Sequence, residues 1–234
     1  VIDDLDGDGI EDLAIGTTSG STATENSISI YIHYGRVGDD GSIVFDSSVT
    51  VPLALEAVQE ASLGELPEAV LQSADLDGDG RPDLLLSAGE GSSALFWNDG
   101  ERRFQGRELP SRAAWITALG ELVELRGDQL VQVPYYGRHR GEGARIAEKT
   151  PLGASLYGVG DCNGDGREDL AVAAGDFFAL WLAIDRSFVR FERDSSVYTV
   201  GQGVHCTDIN EDEIPDIICV YDNGIKTWVS EDQP

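Results

Sequence analysis

The chain has 234 residues, of which 41% are hydrophobic, and its 16 basic residues stand against 43 acidic ones, leaving a formal net charge of -27. So acidic a surface excludes nucleic acid and anionic membrane as partners and makes bound cations the natural ones. No apolar run approaches the roughly 18 residues of a membrane-spanning helix, and the length fits one all-β domain covering residues 1–234. The chain contains no Met and opens on Val1-Ile2-Asp3 without a signal-like start, so it reads as a processed or excised piece of something longer.

In chain order, the first feature is an acidic phrase at residues 4–12 (DLDGDGIED). It returns at 75–83 (DLDGDGRPD), 161–169 (DCNGDGRED) and 208–216 (DINEDEIPD). Oxygen-bearing side chains alternate at positions 1, 3 and 5, glycine allows a sharp turn, and an Asp closes the phrase at position 9. That is a cage of hard oxygen ligands, which is what calcium requires. The expected ligands are Asp4, Asp6, Asp8 and Asp12; Asp75, Asp77, Asp79 and Asp83; Asp161, Asn163, Asp165 and Asp169; and Asp208, Asn210, Asp212 and Asp216. The backbone carbonyls of Ile10, Arg81, Arg167 and Ile214, at position 7, would add one oxygen each. An EF-hand is excluded, because position 12 is Ile15, Leu86, Val172 or Cys219 rather than a bidentate Glu, and helices do not flank the loop. In the fourth loop Glu211 and Glu213 replace both glycines, which costs about 1 kcal/mol or more where a left-handed turn is required; an ion is still expected there. Fourteen Asp residues lie in the four loops, and four calcium ions would bring the net charge to about -19.

The loops begin 71, 86 and 47 residues apart, and the doubled middle interval implies a fifth, degenerate repeat near 119–133, with Asp128 in the place of the closing Asp. Each loop leads into a short apolar run: Leu13-Ala14-Ile15, Leu84-Leu85-Leu86, Leu170-Ala171-Val172 and Ile217-Ile218-Cys219. Second strands follow at Leu95-Phe96-Trp97, Leu180-Trp181-Leu182 and Val220-Tyr221. Turns such as Asp99-Gly100 and Asn223-Gly224 come next, and third strands restart at Phe104, Phe188 and Ile225. In the first unit an alternating strand at 27–34 is expected to continue into Ile43-Val44-Phe45 and Val49-Thr50-Val51 as one sheet. Residues 53–63 could form one or two helical turns. Each unit is thus a small antiparallel sheet of about 45 residues, the size of a propeller blade.

With four loops in register, each followed by a strand and hairpins such as Phe96-Trp97-Asn98-Asp99-Gly100, the chain resembles the FG-GAP/VCBS repeat family, the calcium-loop β-propellers that include the integrin α-subunit heads. The resemblance implies an all-β propeller of four-stranded antiparallel blades, about five in this chain with one degenerate, and calcium on the face opposite the ligand face. Family rings usually have about seven blades, so either two lie outside this piece or a five-bladed ring closes by itself. Before Asp4 only three residues remain, so the first blade is expected to lack its first strand, leaving an open edge to be filled by the C-terminal segment in a circular closure, by missing N-terminal sequence or by a neighbouring molecule. The function expected is that of a secreted or cell-surface adhesion or interaction module binding protein or glycan, and self-assembling through the incomplete blade. The alternative is a carbohydrate-binding propeller, a lectin or polysaccharide-lyase accessory.

Other residues divide between these readings. Between Glu101 and Lys149 nine basic residues face seven acids, and Tyr135, Tyr136, Arg138, His139 and Arg140 combine aromatic faces with forked cations suited to an acidic sugar or peptide. The competing explanation is a solvated loop whose cations replace the lost ion. Arg126-Gly127-Asp128 spells the tripeptide that integrins recognise, although a strand-entry turn accounts for it. Trp97, Trp181 and Trp228 recur beside turns, as aromatics packed between sheets do, with sugar stacking the alternative. No catalytic constellation is recognisable, and Tyr135, Arg138 and His139 form the one group able to handle protons, so no enzyme is expected. Of the three cysteines, Cys206 and Cys219 flank the fourth loop on adjacent strands and are the expected disulfide, unless both remain reduced; Cys162 would be free.

Overall fold

A computed structural model describes residues 1–20, 26–46, 48–54, 70–87, 93–111, 113–117, 120–148, 155–163, 165, 168–174, 177–182, 187–191, 203–212, 215–221 and 224–229. Among these there are twenty-three strands and no helix. Sheet 1 contains β1 (Ile2–Asp3), β2 (Asp12–Gly20), β3 (Asn26–His33) and β6 (Val49–Ala54) in that order, and β4 (Gly35–Val37) and β5 (Ile43–Phe45) form a separate two-stranded ribbon. Sheet 2 runs in order through β7 (Val70–Ala74), β8 (Asp83–Ser87), β9 (Ser93–Gly100) and β10 (Arg103–Leu109). Sheet 3 contains β11 (Ala113–Ile116), β12 (Leu122–Arg126), β13 (Gln129–Val133) and β16 (Ala144–Glu148), with β14 (Tyr135–Tyr136) and β15 (His139–Arg140) as an inserted hairpin. Sheet 4 is β17 (Ser155–Gly160), β18 (Asp169–Ala174), β19 (Phe177–Leu182) and β20 (Ser187–Phe191). Sheet 5 has three described strands, β21 (Gly203–Thr207), β22 (Asp216–Tyr221) and β23 (Gly224–Trp228).

All pairings are antiparallel, and consecutive sheets stack face to face. The second strands of the inner sheets are apolar on both faces because those sheets have neighbours on both sides. In β8, Leu84 and Leu86 join Ile30, Ile32 and Tyr34 of sheet 1, while Leu85 faces Ala114, Ile116 and Leu122 of sheet 3. Val123, Leu125 and Leu130 of sheet 3 then meet Leu170, Val172, Ala179 and Trp181 of sheet 4. Close approach is possible because Gly16 has no side chain: a Cβ there would stand 2.5 Å from Leu86 Cδ1. The stack leaves apolar surface at both ends. Ile2, Ile15 and Tyr31, on the face of sheet 1 turned away from sheet 2, are 63%, 43% and 36% exposed, and Ile225 of sheet 5 is 70% exposed.

Several expectations are corrected. The first sheet does have its first strand: β1 pairs with β2, and Val1 exchanges two backbone hydrogen bonds with Ala14 (2.9 and 3.0 Å), so the edge is short rather than absent. Ile43–Phe45 pairs with β4 instead of extending the sheet. Val220 and Tyr221 are the end of β22, not a further strand, and the Asp222-Asn223 turn lies outside the described residues. Leu53 and Ala54 belong to β6, while 55–63 lie outside the described residues. The degenerate repeat exists as sheet 3, but in a different register. Arg126 pairs with Gln129, which puts Gly127 and Asp128 in the two-residue turn between β12 and β13. Glu121, just before β12, occupies the closing-Asp position, and the acidic loop is cut down to a turn in which Gly120 N–H donates to Thr117 O and Thr117 N–H to Glu121 O.

The disulfide is also not the expected one. Cys162 is bonded to Cys206, with 5.2 Å between their Cα atoms. Cys206 and Cys219 do lie on adjacent strands, but Cys206 is in register with Ile217 and Cys219 with Val204, so they are two residues out of step. Cys162 instead sits at position 2 of the third loop, where Leu5 and Leu76 stand in the first and second. Leu5 and Leu76 are buried against the next sheet, and the disulfide makes the same contact covalently between sheets 4 and 5. A loop of 44 residues is closed, a constraint worth about 4 kcal/mol on chain-entropy grounds. Peptide mapping under non-reducing conditions should recover Cys162 linked to Cys206 with Cys219 open to alkylation; a Cys206–Cys219 peptide would contradict this pairing.

Candidate functional site

The acidic phrases all join the first strand of a sheet to the second, so the loops recur at one end of their sheets. Their shape comes from side chains that accept backbone N–H groups. Asp4 accepts from Gly7, Asp8 and Gly9 at 2.8, 3.1 and 2.9 Å, and Asp75 accepts from Gly78, Asp79 and Gly80 at 2.8, 3.1 and 2.9 Å. Folding the chain that tightly around one carboxylate puts positions 4 and 6 in the left-handed region. Gly7 and Gly9 have φ of 81 and 83°, Gly78 and Gly80 of 78 and 84°. As a result Asp4, Asp6 and Asp8 each bring one oxygen within 4.8 Å of the others, and Asp75, Asp77 and Asp79 do the same. These six residues can hold a cation.

The third and fourth loops differ at position 3. The Asn163 amide donates to Asp165 Oδ2 at 2.9 Å, and that of Asn210 to Asp212 Oδ2 at 2.8 Å. Asp165 N–H donates to Asp161 (3.0 Å) and Asp212 N–H to Asp208 (3.2 Å), as in the first two loops. Arg167, Glu213 and Ile214 lie outside the described residues.

The closing residues Asp12, Asp83, Asp169 and Asp216 are fully buried. Each accepts the N–H of the position-2 residue: Leu5 to Asp12 at 2.9 Å, Leu76 to Asp83 at 3.1 Å, Cys162 to Asp169 and Ile209 to Asp216 at 2.9 Å. In the first two loops the other oxygen accepts from the third strand's end, from Gly35 (2.7 Å) and Asn98 (2.9 Å). Burial pushes the Asp83 carboxyl up to about 6, with Asp77 and Asp79 adding to the rise and the Asn98 and Leu76 amides opposing it. Asp12 is raised for the same reason. Position 9 thus supports the loop from beneath, while positions 1, 3 and 5 form the cluster.

Two arginines of neighbouring sheets complete the first two loops, and neither role is apparent in the sequence. Arg102 of sheet 2 reaches Asp6 of sheet 1, with Nε and Nη2 at 2.9 and 2.8 Å from Oδ2, and its guanidinium lies 4.2 Å above the Tyr34 ring. Arg138 of sheet 3 reaches Asp77 of sheet 2 at 2.8 Å, pairs with Asp99, and donates to Asn98 O at 3.1 Å. Asn98 links sheets 1 and 2 from the core side, donating to Leu5 O at 2.7 Å, and also donates to Pro82 O of its own sheet's loop at 3.1 Å. This holds Asn98 in β9, so the hairpin turns at Glu101-Arg102 rather than at Asp99-Gly100.

The expected ligand group is dispersed by these contacts. Arg138 serves the second loop; Arg140 pairs with Glu124, a fully buried carboxylate that Arg126 also binds, at 2.8 Å. Tyr135 packs edge-on to Trp97, with 5.2 Å between ring centroids, while Tyr136 and His139 are exposed. Trp97 and Trp181 are buried between sheets. Arg126, tied to Glu124, leaves only Gly127 and Asp128 open at the turn.

The architecture is therefore an all-β one, with consecutive antiparallel sheets, four of them four-stranded, and an acidic loop between the first and second strands of four of the five. Residues 75–129, from the second loop to the start of β13, match the family model described as an FG-GAP-like repeat, so the chain carries an FG-GAP-like repeat over that segment. No curated protein matches the chain.

Glu211, in the place of Gly7 and Gly78, has a φ of 62°. Glu211→Gly should therefore stabilise the metal-free protein by about 1 kcal/mol. Chemical denaturation in chelator checks this, and an unchanged or lower midpoint would show that the Glu side chain offsets its backbone cost.

Proposed function

We propose that this chain is a calcium-stabilised propeller-type module that works outside the cell as an adhesion or interaction domain, its sheets serving as blades. The observation that carries the reading is the convergence of three carboxylates in each of the first two loops. Without a counter-ion these groups repel one another by several kcal/mol at moderate dielectric. The donor set fits the ion: hard, anionic oxygens in a flexible loop suit calcium and suit softer metals poorly. Asp4, Asp6 and Asp8, and Asp75, Asp77 and Asp79, would hold it with the closing Asp12 and Asp83 behind them. Asp161, Asn163 and Asp165, and Asp208, Asn210 and Asp212, form the two less charged sites with Asp169 and Asp216. Loops of this exposure bind calcium in the range found outside cells, and the FG-GAP-like repeat supports an extracellular interaction module at the level of the family. The carbohydrate reading is less well supported, because Arg138, Arg140, Trp97 and Trp181 are engaged within the fold.

Calorimetric unfolding in millimolar calcium and in chelator tests the metal. Each occupied site should add roughly 1–2 kcal/mol, so that calcium raises the midpoint by about 10 °C in total while equimolar magnesium does much less. A midpoint unaffected by calcium would end this reading.

The exposed faces of the terminal sheets favour a partner that adds a further sheet, either another protein or a second copy. Sedimentation velocity in calcium should show association that rises with concentration and is lost in Ile225→Glu. A monodisperse monomer at high concentration would rule out self-assembly.

A further inference from the structure

The acidic loops meet the same electrostatic problem in two ways. Where position 3 is Asp, an arginine from the following sheet lies on it, Arg102 on Asp6 and Arg138 on Asp77. Where position 3 is Asn, in Asn163 and Asn210, the loop's own amide donates to the position-5 carboxylate. In the first loop, three carboxylates with the Arg102 guanidinium carry the same formal charge as two carboxylates with an amide; in the second, Arg81 also pairs with the position-5 Asp79.

The backbone marks Arg102 as retained for this contact. Glu101 and Arg102 are the two central residues of a two-residue hairpin turn with φ of 52 and 61°, a conformation that Gly or Asn adopts at lower cost. The guanidinium also stacks on the fully buried Tyr34. Arg138 repeats the arrangement from the inserted hairpin of sheet 3. It too is the second residue of a two-residue turn, after Gly137, and it lies 5.8 Å from the Trp97 ring. Asp6 and Asp77 are nearly buried, at 8% and 5% side-chain exposure, so their charges are poorly screened by water.

We propose that Arg102 and Arg138 are positioning residues that stand in for cation charge on the third-position aspartates of the preceding sheet, so that ion binding in one sheet is linked to docking of the next. The proposal rests on the calcium reading above. The arginine holds the carboxylate cluster together before an ion arrives and opposes the ion electrostatically once it is there. Sheets 1 and 2 therefore keep their loops shaped at low calcium, at the expense of affinity.

Arg102→Gln, Asp6→Asn and the double variant test it by thermal unfolding in chelator and in millimolar calcium, with calcium titration by calorimetry. Arg138→Gln, Asp77→Asn and their double variant provide an independent set should the first pair fail to fold. The expected result is a larger drop in midpoint for Arg102→Gln in chelator than in calcium, with first-site affinity tighter by roughly three- to tenfold. The double variant, which reproduces the charge of the Asn163 loop, should recover most of the loss in chelator. An equal drop in both conditions, weaker calcium binding, or no recovery in the double variant would overturn the proposal while leaving a calcium-dependent wild type intact. A wild type indifferent to calcium would sink both this proposal and the calcium reading.

Discussion

The closing aspartate is the constraint on which the rest of the structure depends. In each of the four acidic loops it is withdrawn from solvent and accepts the N–H of the residue at position 2. A buried carboxylate is stable only when hydrogen-bonded, and satisfying it in this way fixes the backbone at position 2 so that its side chain projects out of its own sheet. Leu5 and Leu76 then enter the core of the next interface and Cys162 bonds to the next sheet. One local hydrogen bond therefore shapes how sheets 1, 2 and 4 meet the sheets that follow them. The same loop whose upper side gathers three carboxylates is attached by its lower side to its neighbour, so anything that stiffens the loop also stiffens the interface.

Charge follows the same division between sheets. Sheet 3 has no acidic loop, and its short turn at 117–121 closes with backbone hydrogen bonds and with Glu121 N–H donating to Thr117 Oγ1 at 3.3 Å. It nevertheless contains the buried Glu124, held by Arg126 and Arg140. Such a cluster adds little net stability compared with an apolar one, but removing any member leaves an uncompensated buried charge. Four of the nine basic residues between Glu101 and Lys149 thereby have structural partners. Arg138 and Arg102 compensate the loops of the preceding sheets, and Arg126 and Arg140 compensate Glu124. These cations are structural counter-charges whose carboxylate partners are spread over three sheets although the arginines are close in sequence.

What could be read from the sequence was whatever is written locally and repeated. The four phrases, the apolar strands after them and the presence of a degenerate unit all depend on short-range spacing, and the strands stand where that spacing put them. What the sequence concealed was register and neighbour. Asp128 resembles a closing Asp because alternating apolar residues follow it, yet it lies in the turn between β12 and β13, and Glu121, one strand earlier, holds the closing position. The Cys206–Cys219 pairing failed on a two-residue offset that strand adjacency alone does not reveal. A signal for the true pair was nonetheless present: position 2 reads Leu5, Leu76, Cys162 and Ile209, apolar each time in an otherwise polar phrase, as expected of a residue that faces a neighbour.

Ile209 carries that logic to the end of the described stack. Its N–H is held by Asp216 as in the other loops, so the same backbone geometry presents its side chain, but it is 47% exposed where Leu5 is 1%. Ile225, on the same sheet, is more open still, and at the opposite end Ile2 and Ile15 leave the outer face of sheet 1 uncovered. The interfaces that follow sheets 1, 2 and 4 each receive a position-2 residue from the preceding sheet, Leu5, Leu76 and Cys162. Sheet 5 presents the donor half of that arrangement and sheet 1 the acceptor half. The two ends thus carry the unlike halves of one repeated contact, a heterologous relation rather than a two-fold one.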